Sequence, residues 1–298
     1  MPNQIEGRSA SDWSKIAYNY AKEGNNQRAI ECYQKAIQID PQNIKPWTNM
    51  GIIHLLLEEY NEAIVCFERT LELDPKYSEG WFNLGTSYSK MKNAKKAIEC
   101  YREAIMINPA NINSWHNIGV ESQESGDFKN TIGCFEEIIK LEPKNITALF
   151  DLGILYARLE NFERAINYFE KVIELDPRNL ETYLILAKSY DLLGNDQKVI
   201  DNFDQILKID PYNIDILIEL GNIYGRTENY QKAVETFEKV VEFAPKYIDA
   251  LYNLSYFCYL LNNLPKAIEF IDRILKENPN NTMAIMLLAE IKRNKWHD

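Results

Sequence analysis

The stretch "WFNLGTSY", Trp81–Tyr88, carries an aromatic, an asparagine, a leucine and a glycine within its first five residues. The same skeleton stands 34 residues earlier as "WTNMGIIH", Trp47–His54, and 34 residues later as "WHNIGVES", Trp115–Ser122. An active site seldom needs its groups several times at one spacing, whereas a structural unit that is stable only when stacked does. The prolines set the register: Pro41, Pro75, Pro109, Pro143, Pro177, Pro211, Pro245 and Pro279 each follow the last by 34 residues. Counting back from them gives repeats at 10–43, 44–77, 78–111, 112–145, 146–179, 180–213, 214–247 and 248–281. A leader, 1–9, and a tail, 282–298, remain.

Within each repeat the apolar residues recur at helical spacing. In repeat three, Trp81, Leu84, Gly85 and Tyr88 fall at i, i+3, i+4, i+7 on one face of a first helix and read as core. "KNA", Lys92–Ala94, interrupts the pattern, and Ala97, Tyr101, Ala104 and Ile105 mark a second helix. An Asn-Pro pair ends it, because proline disfavours helical geometry in the residue before it and cannot extend the helix. Positions 8 and 20 of the repeat stay small, as Ala17/Ala29, Gly51/Ala63, Gly85/Ala97, Gly153/Ala165 and Gly221/Ala233. Glycine inside a helix costs on the order of 1 kcal/mol relative to alanine, so its recurrence implies that the two helices of a pair approach closely there.

Period, small residues, aromatics and terminal proline together resemble the tetratricopeptide repeat, over residues 10–281. The resemblance implies an all-α fold, a right-handed α-α superhelix (a solenoid) of antiparallel helix pairs. Departures are local: Thr131 and Val199 at position 20, Ser255 at position 8, and Pro265, tolerable where it opens a second helix. The tail begins like a further first helix, with Ile285, Leu288 and Ala289 expected inward, and reads as a capping helix. The leader is expected to be unstructured or vector-derived, since "IEGR", Ile5–Arg8, matches a protease recognition tetrapeptide.

Bulk properties exclude several functions. The net charge of −11 opposes binding to phosphate backbones or an acidic membrane surface. The longest apolar runs, such as "YFCYLL" at Tyr256–Leu261, fall far short of a membrane span, and "MPNQIEGRSA" lacks a signal peptide's apolar core. Cys32, Cys66, Cys100 and Cys134 recur once per repeat, with Cys258 apart. Equivalent helices in neighbouring repeats lie about 8–10 Å apart, beyond the ~6.8 Å Cα limit of a disulfide. Free thiols in a cytoplasmic protein follow. His54, His116 and His297 sit apart from one another, and there is no phosphate-binding glycine loop. No catalytic residue, cofactor or metal is expected.

The resemblance places the first helices along an inner, concave wall that usually binds an extended peptide or partner helix. Position 6 reads Lys15, Asn49, Asn83, Asn117, Asp151, Ile185, Glu219, Asn253. Three consecutive asparagines resemble the asparagine ladder of O-linked N-acetylglucosamine transferase, in which amides hold a peptide backbone regardless of sequence; the alternative is that they only face solvent. Phe82, Phe150 and Tyr252 at position 5 are candidate apolar contacts, or they pack between adjacent first helices. Tyr252, Tyr256 and Tyr259 lie on the groove side of repeat eight, available to a ligand or to self-contact, or sheltered against the capping helix. Groove charge turns from basic to acidic toward the C-terminus, which orients a bound segment with its basic residues there. The dicarboxylate clamp of Hsp70/Hsp90 co-chaperones is absent, since no repeat has lysine at position 5. The expected protein is a non-catalytic scaffold binding a peptide or protein segment, as a monomer or weak homo-oligomer. The alternatives are a self-assembling structural protein and a targeting subunit of a separate enzyme.

Overall fold

The computed structural model describes residues 7–294. Most of the leader, residues 1–6, and the end of the tail, with His297, lie outside them. Within the leader, Ser9 caps the first helix: its hydroxyl accepts from the Asp12 N–H at 3.2 Å, and the Asp12 carboxylate accepts from the Ser9 N–H at 3.1 Å.

Among the described residues the secondary structure is α-helical without a β-strand. The chain forms two compact bodies, Met1–Leu155 and Tyr156–Asp298. The N-terminal body holds α1 (Ala10–Lys22), α2 (Asn26–Ile39), α3 (Ile44–Leu56), α4 (Tyr60–Leu73), α5 (Ser78–Lys90), α6 (Ala94–Ile107), α7 (Ile112–Glu124) and α8 (Phe128–Leu141). Helix α9 (Ile146–Arg158) carries the chain into the second body. There follow α10 (Phe162–Leu175), α11 (Leu180–Leu192), α12 (Asp196–Ile209), α13 (Ile214–Arg226), α14 (Tyr230–Phe243), α15 (Ile248–Leu260), α16 (Leu264–Glu277) and α17 (Thr282–Asn294).

Short polar residues start most of these helices, Glu59, Tyr77 and Tyr247 being N-cap residues without a side-chain cap. At position 34, the Asn111, Asn179 and Asn281 side chains accept from N–H groups three residues on, at 3.0 Å each. At position 16, Asn93, Asp127 and Asn161 do the same for the second helices. Each such cap contributes about 1 kcal/mol. Between the helices, position 15 takes the left-handed conformation, with φ of 75° at Gly24, 61° at Glu58 and Lys92, 57° at Glu160, and 58° at Glu228 and Asn262. That conformation closes the first helix with Schellman-type bonds, such as Lys92 N–H to Ser89 O and Asn93 N–H to Tyr88 O.

The small residues at positions 8 and 20 let the second helix press a large side chain at position 24 onto the first, an aromatic ring in repeats one to seven and Ile271 in repeat eight. A Cβ on Gly85 would lie 2.8 Å from the Tyr101 ring, and one on Gly51 2.7 Å from Phe67. Positions 3 and 10 of the first helix are buried from repeat two onward, for example Gly80 and Ser87 or Ala250 and Phe257, but exposed in repeat one at Asp12 and Asn19. They are the face turned to the preceding repeat.

Two expectations are corrected. Trp81 and Tyr88 are only half-buried. The indole N–H of Trp81 donates to the Pro75 carbonyl at 3.0 Å, as Trp47 does to Pro41 and Trp115 to Pro109. These tryptophans pin the proline turns from the edge of the core. Tyr88 lies at the surface under the Lys96 ammonium, 4.8 Å from its ring centroid, with its hydroxyl 3.4 Å from Glu68. In repeat eight Cys258 takes the tyrosine's place, and Lys266 ion-pairs directly with Glu238 of the preceding repeat.

In α17 the buried residues are Ala284, Leu287 and Ile291, whereas Ile285 is 45% exposed and Ala289 is also exposed, with Leu288 half-buried. Positions 4 and 8 turn inward in a complete pair because the second helix covers them. Helix α17 packs on the preceding pair, α15 and α16, and so buries positions 3, 6 and 10 instead.

Candidate functional site

The first-helix face of the N-terminal body carries Asn49, Asn83 and Asn117 at one repeat position, all half-buried. They are not equivalent. Tyr33 and Tyr101 end the preceding pairs' aromatic contacts with buried hydroxyls. Burial pushes the Tyr33 phenol up, and a hydrogen bond from the Asn49 side chain pulls it down. Tyr101 is likewise raised by burial, with opposing hydrogen bonds to Thr86, Asn117 and Ser89. Asn49 and Asn117 therefore serve the packing between repeats. The repeat before Asn83 has Phe67 where these two have tyrosine, and phenylalanine offers no hydroxyl. The Asn83 Nδ2 is buried with no hydrogen-bond partner.

Around Tyr101 the structure assembles a polar knot that the sequence reading missed. The Ser89 hydroxyl donates to Glu121, a carboxylate buried within α7, and the Tyr101 hydroxyl lies 3.4 Å from Thr86 Oγ1. The signal was available: glutamate at position 10, where neighbouring repeats have isoleucine, serine or leucine, needs a donor nearby.

Phe82 is half-buried, with its ring 5.8 Å from Tyr101, and Phe150 is half-buried on α9. Between them, His116 stands edge-on to Phe135 at 5.8 Å, and its Nε2 lies 3.7 Å from Asp151. The nearby Asp151 carboxylate raises the imidazole's pKa against the opposing effect of burial, with Asn117 adding to the rise. Asp151 thus faces His116, and among the described residues Asn83 Nδ2 and Ser114 Oγ are the buried side-chain atoms without a hydrogen-bond partner.

The remaining candidates belong to the C-terminal body. Tyr252 and Tyr256 stack nearly parallel, 6.5 Å apart at 8°, with Tyr256 40% exposed. The Tyr259 hydroxyl instead donates to Glu290 of α17 at 3.0 Å. Asn253 is half-buried beside them. The tyrosine trio thus divides: one ring faces solvent and one is tied to the last helix.

All five cysteines are buried and free. Burial pushes the thiols of Cys66 and Cys100 up to about 12 and that of Cys134 to about 11, with Cys32 and Cys258 also raised. A thiol so disposed supplies little thiolate at neutral pH. Among the described residues, no cluster of histidine, cysteine or carboxylate side chains is placed to hold a metal ion, and no helix is long and apolar enough to cross a membrane.

Solved structures share the fold. MamA from Desulfovibrio magneticus aligns with a TM-score of 0.53 at 21% identity, covering 58% of this chain and 98% of that one. A repeat protein from Parabacteroides merdae aligns at 0.55 and 18%, covering 84% and 99%. YrrB, described as a TPR protein with an unusual peptide-binding site, aligns at 0.53 and 20%, covering 63% and 97%. No curated protein matches the sequence. Tetratricopeptide repeat family models match residues 44–77, 78–111, 122–187 and 226–291, and a TPR repeat model matches 17–57. With helix pairs throughout the described residues, the chain belongs to the tetratricopeptide repeat family.

Proposed function

We propose that this protein is a non-catalytic, cytoplasmic interaction scaffold of eight repeats closed by α17, which holds an extended peptide or protein segment on its first-helix face. The observation that carries this reading is the Asn83 amide, buried without a partner in the middle of the row. An unsatisfied buried N–H costs about 1–3 kcal/mol, and a backbone carbonyl of a bound segment would relieve that cost. Asn49 and Asn117 flank it, Phe82 and Phe150 supply apolar contact, and Asp151 receives donors from the segment. In the C-terminal body, Asn253 and Tyr256 offer further contacts, with Tyr252 and Tyr259 supporting them. The raised thiol pKa values and separated histidines favour the non-catalytic part of the reading.

Asn83→Ala is the test, because it strands no neighbour, whereas changing Asn49 takes a hydrogen-bond partner from the Tyr33 hydroxyl and changing Asn117 takes one from Tyr101. Affinity capture from cell lysate, followed by titration of the captured partner's segments, should lose that partner in the variant at unchanged helicity. Equal retention by both proteins would sink the proposal.

A second reading, self-assembly, draws on α17, where Met286 is 71% exposed beside the exposed Met283 and Ile285. Light scattering that finds a monomer at high concentration excludes it.

A further inference from the structure

Away from the asparagine row, a first helix meets two second helices in an outer cleft that recurs at one repeat position. Its volume is about 490 Å³ between α4, α5 and α6, about 340 Å³ between α10, α11 and α12, and about 420 Å³ between α12, α13 and α14. Volumes of roughly 300–1,000 Å³ hold small ligands. The charges differ from cleft to cleft. In the C-terminal body Glu170 and Asp201 are set against Lys198, and Asp204 and Glu235 against Lys208, Lys232 and Lys239. In the N-terminal body Glu68, Glu72 and Glu99 are set against Lys96 alone, and the aromatic wall is Trp81 and Tyr88, both half-buried.

Trp81 lacks the cation that its counterpart in repeat one holds. Trp13, at the same repeat position, has the Lys35 ammonium 4.4 Å and the Arg8 guanidinium 5.4 Å from its ring centroid. Lys35 stands at position 26, which lines the C-terminal clefts as Gln205 and Lys239 and is Glu103 in repeat three. Tyr88 has Lys96 over its face at 4.8 Å, but among the described residues no lysine or arginine stands over the Trp81 ring. The carboxylates occupy opposite walls, Glu68 and Glu72 one turn apart on α4 and Glu99 on α6. The Tyr88 hydroxyl lies 3.4 Å from Glu68, and Arg69 holds Glu72 at 2.7 Å, whereas Glu99 is exposed and without an ion pair among the described residues. Even with Arg69 counted, acids outnumber bases.

We infer that the cleft between α4, α5 and α6 binds a small alkyl polyamine, two or more ammonium groups joined by methylenes. One ammonium meets Glu68 and Glu72, another meets Glu99, and the spacer with its flanking charge lies on the Trp81 ring. Tryptophan gives the strongest cation–ring attraction of the aromatic side chains. A lone ammonium would answer one wall only, and a divalent metal ion would make no use of the ring. This site goes beyond the proposed function, since it is lined by second helices and its ligand is not a peptide.

The test titrates spermidine into the full chain at constant ionic strength and follows the indole N–H signals by NMR, with Trp81→Phe identifying the signal of Trp81. That signal should shift and saturate, whereas that of Trp115, which makes the same bond to its proline turn, should stay. Glu99→Gln removes one exposed charge and should weaken binding by about two- to fivefold. Lys96→Gln removes the competing ammonium and should tighten it, an opposite sign that a general loss of structure would not produce. No saturation at millimolar spermidine, an equal shift with magnesium ions, or two variants that both bind like the parent would each overturn the site. An equal affinity for N-acetyl-lysine methylamide, which has one ammonium, would overturn the two-walled ligand. Asn83→Ala should leave the spermidine titration unchanged, so the failure of either reading is seen without the other.

Discussion

The imidazole Nε2 of His116 stands 3.7 Å from the Asp151 carboxylate, joining α7 to α9 across neighbouring repeats. The Asp151 carboxylate holds the histidine's pKa above its ordinary 6.5 in the folded state. The folded protein therefore binds this proton more tightly than the unfolded chain does. The contribution is complete below pH 6.5 and fades as pH rises through the folded value.

Urea midpoints measured from pH 6 to pH 8 should accordingly fall with rising pH, and His116→Gln should flatten that part of the slope. Both partners are about a third exposed, so solvent screening limits the effect to roughly 0.2–1 kcal/mol. An unchanged slope in the variant would assign the pH response elsewhere.

Asn83 and Asn49 should answer the same substitution in opposite ways. Asn83→Leu removes a buried amide that lacks a partner and should leave the urea midpoint unchanged or raised. Asn49→Leu strips the Tyr33 hydroxyl of its neighbour and should cost about 1–3 kcal/mol. Equal losses would mean that Asn83 has a structural partner after all.

Lys92 occupies the left-handed turn at φ 61° without being glycine. That conformation costs an ordinary residue about 1–2 kcal/mol, of which glycine's greater unfolded entropy returns part. Lys92→Gly should stabilise the protein by about 0.5–1 kcal/mol. A lower urea midpoint would show that the lysine side chain contributes more than the turn costs.

On α17, Leu287→Ala should destabilise by about 2–5 kcal/mol, because that side chain is buried, whereas Ile285→Ala should be nearly neutral. The reverse order would restore the face expected from repeat periodicity.

The contrast at α17 shows how far the sequence could be read. Helix starts at Ile44, Ser78 and Ile112 follow the proline register because termination at an Asp-Pro or Asn-Pro pair is local and carried by residue type, with Asn43 and Asn111 adding caps that Tyr77 does not. The inward face of α17 was misread because positions 4 and 8 are buried by a partner helix, which is information outside the helix itself. Among the described residues, five non-glycine residues with positive φ also went unseen, since glutamate, lysine or asparagine at a turn does not announce its backbone angle. The asparagine row was visible as a row, but its inequality was not. It emerges only when Tyr33, Phe67 and Tyr101 are set against the asparagine of the following repeat. Val199 stood out as too large for its position, and the structure shows it buried all the same.

The exchange of tyrosine for Cys258 has a consequence of its own. In repeats three and seven a lysine sits over a tyrosine face, at 4.8 Å and 5.3 Å, a short-range attraction to a quadrupole. In repeat eight Lys266 meets the Glu238 carboxylate instead, with both side chains more than a third exposed. Mobile ions screen such a pair readily. Ionic strength thus acts as a dial on the tie between α16 and α14 of the preceding repeat, at salt concentrations that leave the lysine–tyrosine contacts within repeats three and seven in place.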